Sequence, residues 1–401
     1  MSEITVIGEA LVDVVESESG IIRTTPGGSP LNVAVGLARL GISVELVSDI
    51  GADDHGALIR RHLADSGVGT ADILEVAATS SAIAAIRADG AADYRFSIDW
   101  HLSGLTPRAD ANAIHVGSIG AWMEPGSARV AELITGTESA IVSFDPNVRP
   151  RLVRDRQAVL DRIDALIEVA DVVKLSDEDA DWIFPGRPPE SVADLLIDRG
   201  VSLAAVTLGA AGCLLRTPHG GVERTSDATT VADTIGAGDA FMSGLLAALI
   251  SASSLDRLRS GIPDAELAAL AAVASASAAI VVARPGADPP RAQELPLDQL
   301  ARFRQPRRVI AEFRSLPGRE REVSALIAAY AEVVRAERGT LEFAVHRESG
   351  PRGGYVVTES YRDENAFRDH LNDPAGLSFN SKLAPLIESG VSKVRLIDIV
   401  A

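Results

Sequence analysis

Lysine is nearly missing: Lys174, Lys382 and Lys393 are the three in 401 residues, and none closes a glycine-rich turn ahead of Ser or Thr. That excludes the P-loop, in which such a lysine reaches the nucleotide phosphates. Cysteine is rarer still. Cys213 stands alone, so no disulfide forms within the chain and a reducing compartment is expected. Its neighbours Gly212 and Leu214-Leu215 read as a buried strand, which makes it an inert core thiol. Aromatic residues are 4% of the chain against 46% hydrophobic, so the cores are aliphatic and alanine-rich. Basic charge is short as well: the net charge is -18. Residues 1–306 carry 24 basic and 42 acidic side chains, while residues 307–401 carry 14 of each. An acidic first part has no general field for nucleic acid or an anionic membrane. A phosphate-bearing ligand there must be held by local donors and a metal. The N-terminus lacks a basic region followed by a long apolar run, so no signal peptide is expected. Residues 267–283 come nearest to a membrane span and read as a packed helix. A cytoplasmic protein is expected.

The shift in charge places a domain boundary near residue 306. Before it, strand-like runs at 4–7, 11–15, 44–48, 113–116, 140–144, 172–175 and 204–208 alternate with helical patterns, among them 31–40, which Gly41 ends. Short alternating strands at 82–87 and 94–98 flank Asp89-Gly90, a hairpin signal. This predicts a doubly wound α/β sheet with a small extra β element. After Pro289, Pro290, Pro296 and Pro306 the pattern becomes strand 309–313, helix 319–337, strands 341–347 and 354–361, helix 364–371 and strand 394–400. That is the β-α-β-β-α-β order of a ferredoxin-like α+β fold.

The run Asp233-Thr-Ile-Gly236-Ala237-Gly238-Asp239 carries the chemistry. An apolar, helix-spaced segment follows it, so the glycines lie where a helix begins, and a helix N-terminus offers unpaired N–H donors to an anion. An acid beside an anion hole is what phosphoryl transfer to a hydroxyl requires, because the acid accepts the alcohol proton and the donors stabilise the moving charge.

The 233–239 run resembles the second signature of the ribokinase-like (PfkB) carbohydrate kinases. Gly27-Gly28-Ser-Pro-Leu-Asn32, with the alanine-rich helix after it, resembles the first, some 200 residues earlier. The resemblance implies a ribokinase-like doubly wound sheet with a β lid. It makes Asp239 the general base and gives Gly236, Ala237 and Gly238 the anion hole. Asp13, Gly28 and Asn32 match the family's sugar-hydroxyl positions. Phe144-Asp-Pro-Asn147-Val-Arg149 resembles the Asp-x-Asn-x-Arg segment of fructokinase-like and 2-keto-3-deoxygluconate kinase-like members, which makes Asn147 and Arg149 substrate residues. Arg149 either meets the substrate or pairs with Asp145. Thr207-Leu-Gly209-Ala-Ala-Gly212 resembles the nucleotide segment, Lys174 is assigned to the nucleotide side, and the helix at 272–283 has small side chains for an adenine slot. Ser176 and Asp179 replace the family's Asn-x-x-Glu magnesium motif, so Mg²⁺ falls to Asp179 or to Glu178. Asp233, Ile235 and Gly286 correspond to a monovalent-cation loop, which implies K⁺. Tyr94, Phe96 and Trp100 either close over the sugar or pack in the lid sheet; His115 reads as a core residue.

Residues 307–401 resemble the antibiotic biosynthesis monooxygenase (ABM) family through Pro317-Gly318-Arg-Glu, Arg338-Gly-Thr-Leu, Glu359-Ser-Tyr361 to Phe367 and His370. His346, Tyr361 and His370 are the cleft candidates there. The expectation is therefore a kinase domain at 1–303, a connector at 304–308 and an ABM-like domain at 309–401. The substrates would be ATP and a sugar, fructose first and 2-keto-3-deoxygluconate or ribose next, in a homodimer without nucleic-acid or membrane partners. The second domain is either an enzyme, an oxygenase or isomerase, or a non-catalytic dimerisation module.

Overall fold

The computed structural model describes residues 3–17, 20–86, 92–103, 111–136, 140–228, 230–304, 306–337, 339–348, 354–362 and 364–397. The chain separates into two compact units, Met1–Leu300 and Ala301–Ala401. In chain order the first unit has β1 (Ile4–Ile7), β2 (Leu11–Ser17), β3 (Gly20–Gly27), β4 (Val44–Gly51), β5 (Ile73–Val76), β6 (Ser80–Ile86) and β7 (Ala92–Ser97). It continues with β8 (Ala113–Gly117), β9 (Ile141–Asp145), β10 (Val172–Ser176), β11 (Leu203–Thr207), β12 (Cys213–Thr217) and β13 (Gly220–Arg224). Nine of these form one sheet in the order β13-β12-β11-β10-β9-β8-β1-β4-β5. It is parallel from β11 to β5, and β12 and β13 add an antiparallel edge. β1, β8 and β9 are buried along their whole length, as a parallel sheet covered on both faces demands. The expected doubly wound α/β architecture is what forms.

The lid is a separate four-stranded sheet, β3-β2-β6-β7. β6 and β7 pair antiparallel, with Ile83 opposite Arg95, and the expected Asp89-Gly90 turn lies outside the described residues. β3 was not expected, because the proline and glycines of Pro26-Gly27-Gly28 read as a turn; Pro26 and Gly27 instead finish a strand paired to β2. Two apolar helices, Ala237–Ser251 and Asp264–Val282, pack together where a Cβ on Gly244 would come within 2.8 Å of Ser277 Cβ. The second is long and apolar enough to cross a membrane by length and composition, and half of it is buried within this unit. Pro289 and Pro290 are buried too, and Arg39 donates to the Pro289 carbonyl at 3.0 Å.

The second unit has β14 (Arg307–Arg314), β15 (Thr340–Arg347), β16 (Gly354–Tyr361) and β17 (Lys393–Ile397) in the antiparallel order β15-β16-β14-β17. This is the ferredoxin-like arrangement expected. β14 alternates, turning Val309, Ala311 and Phe313 inward, and the Glu320–Ala336 helix contributes Val323, Ile327 and Val334 to the same core. A further helix, Pro374–Leu383, was not anticipated, although Asp373 caps it through Ala375 N at 2.7 Å with Pro374 in the first turn.

Candidate active site

The carboxyl end of β10 lies beside the start of the Ala237–Ser251 helix, and open α/β sheets place their ligands outside the carboxyl ends of their strands. Gly236 caps that helix in the left-handed region at φ 78°, and a Cβ there would sit 2.7 Å from Ala287 Cβ, so glycine is required. The cap has no side chain to satisfy the first turn. Ala237 N–H donates to Thr234 O at 3.3 Å, and Ala237 and Gly238 line a cavity of about 310 Å³. Thr207, Gly209 and Gly212 line its other side, and Ser275, Ala278 and Ala279 form the small-residue wall expected of the 272–283 segment.

Asp239 sits in this first turn, 7% exposed, with both carboxylate oxygens fixed from the first signature: Ser29 Oγ donates to Oδ1 at 2.6 Å and Asn32 Nδ2 to Oδ2 at 2.8 Å. Asn32, expected on the sugar, thus reaches the acid itself. Ser29, inside the same motif, was given no role from the sequence alone. Beside them Lys174 Nζ donates to Asp145 Oδ2 at 3.0 Å, both side chains buried. The same Nζ would lie 3.0 Å from a Cβ on Gly238, so the ammonium rests against the first turn of the helix. Burial pushes the Asp145 carboxyl up to about 6 against the pull of Lys174, and the Asp145, Asp179 and Asp239 charges hold the Lys174 ammonium above its usual range despite burial.

Of the residues expected at the sugar, Gly28 has φ 105°, and a Cβ there would come 2.6 Å from Glu9 O, so the chain passes the end of β1 only as glycine. Asp13 lies on the lid strand β2 with an exposed surface, yet the groups around its carboxyl desolvate it enough to raise its pKa against the charges of Arg149 and Arg23. Arg149 is exposed, and its Nη1 donates to Asn147 O at 3.1 Å, to the Asn147 side chain and to Val148 O at 3.3 Å. The alternative pairing of Arg149 with Asp145 is not made, since Lys174 holds that carboxylate. Glu9 is a residue that sequence reasoning missed. It is 2% exposed and accepts from Gly120 N at 2.8 Å; burial pushes its carboxyl up to about 7, against the pull of Gly120 N–H, the Ser118 hydroxyl and Arg149. An acid two residues past a fully buried strand was the available signal.

Asp179 and Ser176 form a capping box at the start of the Asp177–Ile183 helix. Asp179 Oδ2 accepts from Ser176 Oγ at 2.7 Å and Ser176 N at 3.2 Å, and Oδ1 accepts from Val148 N at 2.8 Å; Glu178 is exposed. Asp233 ties the loop ahead of the helix to Gly286, with Oδ1 accepting from Ile235 N and Oδ2 from Gly286 N, each at 3.0 Å; these N–H donors hold its carboxyl below the usual range. His115 is buried, with Nδ1 3.0 Å from Ser143 Oγ, and burial next to Lys174 pushes it down to about 3. Trp100 packs inward: it is 3% exposed and donates Nε1 to Gly120 O at 2.9 Å. Tyr94 and Phe96 stay exposed on β7 with ring centroids 6.4 Å apart, and Arg151 lies 4.8 Å over the Tyr94 ring.

In the second unit the expected cleft trio is split. Strand alternation puts His346, hydrogen-bonded to Thr358 Oγ1 at 3.2 Å, on the sheet face opposite Phe343, Tyr355 and Tyr361. Tyr361 and His370 do meet, with rings 4.9 Å apart. Tyr361 OH donates to Glu359 at 2.7 Å, and His370 Nδ1 lies 3.0 Å from Glu337 Oε2, beside a cavity of about 430 Å³.

A carboxylate fixed at a helix start below a glycine-lined cavity, on a doubly wound sheet with a β lid, defines a small-molecule phosphotransferase. Residues 1–294 match the pfkB family carbohydrate kinase profile, and the chain belongs to that family; residues 306–381 match the antibiotic biosynthesis monooxygenase profile and form an ABM domain. The fructokinase of Klebsiella pneumoniae is 35% identical over 278 residues, 66% of this chain and 90% of the relative. The solved fructokinase of Xylella fastidiosa with bound ATP is 28% identical at a TM-score of 0.64, covering 76% of this chain and 98% of its own. A fructokinase double mutant from Vibrio cholerae O395, solved with fructose, ADP and potassium ion, is 27% identical at a TM-score of 0.62, covering 72% and 94%.

Proposed function

We propose that a domain ending at residue 303, which takes in the whole first unit, is an ATP-dependent fructokinase that phosphorylates a primary hydroxyl of the sugar. The observation that carries the reading is Asp239, oriented by Ser29 and Asn32 at the N-terminus of the Ala237–Ser251 helix and adjoining the nucleotide cavity. Asp239 takes the proton of the attacking hydroxyl as its oxygen bonds to the γ-phosphorus, and the bond from that phosphorus to the β–γ bridging oxygen breaks to release ADP. Ala237, Gly238 and Lys174 bracket the developing charge, and Gly209 and Gly212 let the backbone approach the nucleotide. Asp13, Gly28, Asn147 and Arg149 face the sugar from the lid and strand ends. A divalent cation, Mg²⁺ in the cell, neutralises the phosphates when bound. Such an ion arrives with ATP and keeps much of its water. The tie from Gly286 N to Asp233 supports a K⁺ loop. Support for fructose comes from the relatives: the Klebsiella pneumoniae protein is a fructokinase, and the Vibrio cholerae O395 fructokinase was solved with fructose bound. The setting is cytoplasmic and the assembly a homodimer.

An ADP-release assay over fructose, ribose, 2-keto-3-deoxygluconate and nucleosides tests the substrate. Fructose should give the highest kcat/KM; a better rate on another acceptor replaces it. In the same assay Asp239→Asn should lower kcat by about 10²–10⁴-fold with ATP affinity retained, and substantial residual turnover would remove the base assignment. Exchanging potassium for tetramethylammonium should slow turnover, and equal rates dispose of the K⁺ loop. A second reading, that the chain is bifunctional, draws on the Tyr361–Glu359 and His370–Glu337 bonds beside the 430 Å³ cavity. Consumption of the kinase product by the full chain, abolished in His370→Ala, tests it; no consumption leaves an assembly module.

A further inference from the structure

Strand register puts one set of lid side chains on a single face. Asp13 on β2 lies opposite Thr25 on β3 and Ala82 on β6, and Ala82 lies opposite Phe96 on β7. One step along, Val15 lies opposite Ala84, and Ala84 opposite Tyr94. Directly opposed residues, and residues two apart on one strand, share a face, so Tyr94 and Phe96 stand on the face that carries Asp13. That face is turned to the segment after β9. Arg151, in the single helical turn Pro150–Leu152, lies 4.8 Å over the Tyr94 ring, and the charge of Arg149 just before it pulls on the Asp13 carboxyl. Among the described residues Arg151 has no hydrogen-bond or ion-pair partner, and both it and Tyr94 are exposed. Parting them would leave no buried polar group unsatisfied, so this contact can break and re-form without cost to the core. It also lies where the lid is least tied down: β3 runs straight into the Ser29–Arg39 helix, and buried Trp100 anchors only the exit of β7, the edge strand on the other side.

We propose that Arg151 is a positioning residue for phosphoryl transfer: stacked on Tyr94, it latches the β7 edge of the lid to the body and so holds the Asp13 face against the acceptor. This rests on the kinase reading. An exposed cation–π contact is weak, which is what a latch needs if it opens in every turnover to admit sugar and release product. Losing it changes the ratio of closed to open lid by about two- to five-fold. A loosened lid also lets water compete with the sugar hydroxyl for the γ-phosphate.

The test is a double-mutant cycle on the full chain. Arg151→Ala and Tyr94→Leu should each raise the KM for fructose, or for the acceptor that replaces it, by about two- to five-fold and leave the KM for ATP unchanged. Each should also raise the share of ATP hydrolysed without transfer to sugar. The double variant should match the single ones, because the contact is lost only once. Tyr94→Phe, which keeps the ring, should restore the wild-type KM. In the ligand-free chain, Arg151→Ala should speed amide hydrogen exchange in residues 92–97 relative to residues 4–7 of the central sheet. Additive losses in the double variant would overturn the latch, and so would equal exchange in residues 92–97. An ATP KM that rises in step with that of the sugar would overturn it as well, since general loosening of the unit does that. A wild-type chain that phosphorylates no acceptor would overturn the kinase reading, and the exchange in ligand-free Arg151→Ala and Tyr94→Leu chains would then decide alone whether the latch exists.

Discussion

Glu9 is held where water cannot stabilise its charge, and Gly120 N–H, the Ser118 hydroxyl and Arg149 only partly replace that water. Its carboxyl titrates at about 7 in the fold against 4.5 in the unfolded chain. Between those values the native state keeps a proton that the unfolded state has released. The contribution of Glu9 to stability is therefore fully present below about pH 4.5 and is lost as the pH rises through about 7, a swing of roughly 3 kcal/mol. Glu9→Gln imitates the protonated acid and still accepts from Gly120. It should match wild type in urea unfolding near pH 4.5 and gain on it progressively up to pH 8; parallel stability–pH curves would refute the shift. Residues of this kind explain what was and was not legible in the sequence. Asp239, Gly28 and Gly236 could be named because the first is of the type that the proposed proton transfer asks for and the glycines are dictated by positive φ, needs that are local to a motif. Ser29, Glu9 and the pairing of Asp145 with Lys174 could not. Asp145 and Lys174 lie 29 residues apart and meet because β9 and β10 run parallel with Phe144 opposite Val173. The sequence left Trp100 open between the sugar and packing for the same reason: its burial follows from Gly120 and Gly126, which reach it only in the folded unit.

Among the elements, the crossing of the Ser29–Arg39 and Ala237–Ser251 helices sets the geometry of the base. A Cβ on Gly36 would fall 2.4 Å from Ser243 Oγ and 2.7 Å from Ser243 Cβ, so the helices touch through glycine, one turn along from Asn32 on one and from Asp239 on the other. That closeness lets two short side chains, Ser29 and Asn32, span to one carboxylate. Gly36→Val forces the helices apart. Overpacking a tight contact costs roughly 1–3 kcal/mol, and the β-branched residue returns little of it as helix propensity. The variant should show a lower urea midpoint together with a kcat reduced more than ATP affinity, because the Asp239 clamp shifts while Gly209, Gly212 and the 275–279 wall stay in place. An unchanged midpoint would mean that the crossing has slack. Element boundaries were otherwise readable where period and caps agreed, as in β14 and the Glu320–Ala336 helix. They failed at β3, where proline and glycine normally signal a turn.

For the whole molecule, the asymmetry of charge has a structural counterpart. The first 306 residues hold the entire net charge of -18, and every residue assigned above to base, nucleotide or sugar lies between Glu9 and Gly286. The unit that contains them, Met1–Leu300, has its own core of β-sheet and apolar helices, and a domain with its own core can fold alone. Ala301–Ala401 likewise has a core of its own around Phe313, Val323, Ile327 and Tyr355. A chain ended after residue 304 should therefore keep kcat for sugar phosphorylation within about two-fold and unfold in a single step, as an independent domain does. Stopped-flow or coupled ADP-release kinetics on the shortened and full chains at matched concentration would read the first, and calorimetry the second. Should kcat fall by about ten-fold or more with the shortened unit still folded, the ABM domain would have to supply something the first unit's own residues do not, such as assembly that holds the exposed Tyr94–Phe96 lid face in its working position. Retained activity would instead assign the ABM domain a task separable from phosphoryl transfer, and the buried Tyr361–Glu359 and His370–Glu337 contacts are where that task would be sought.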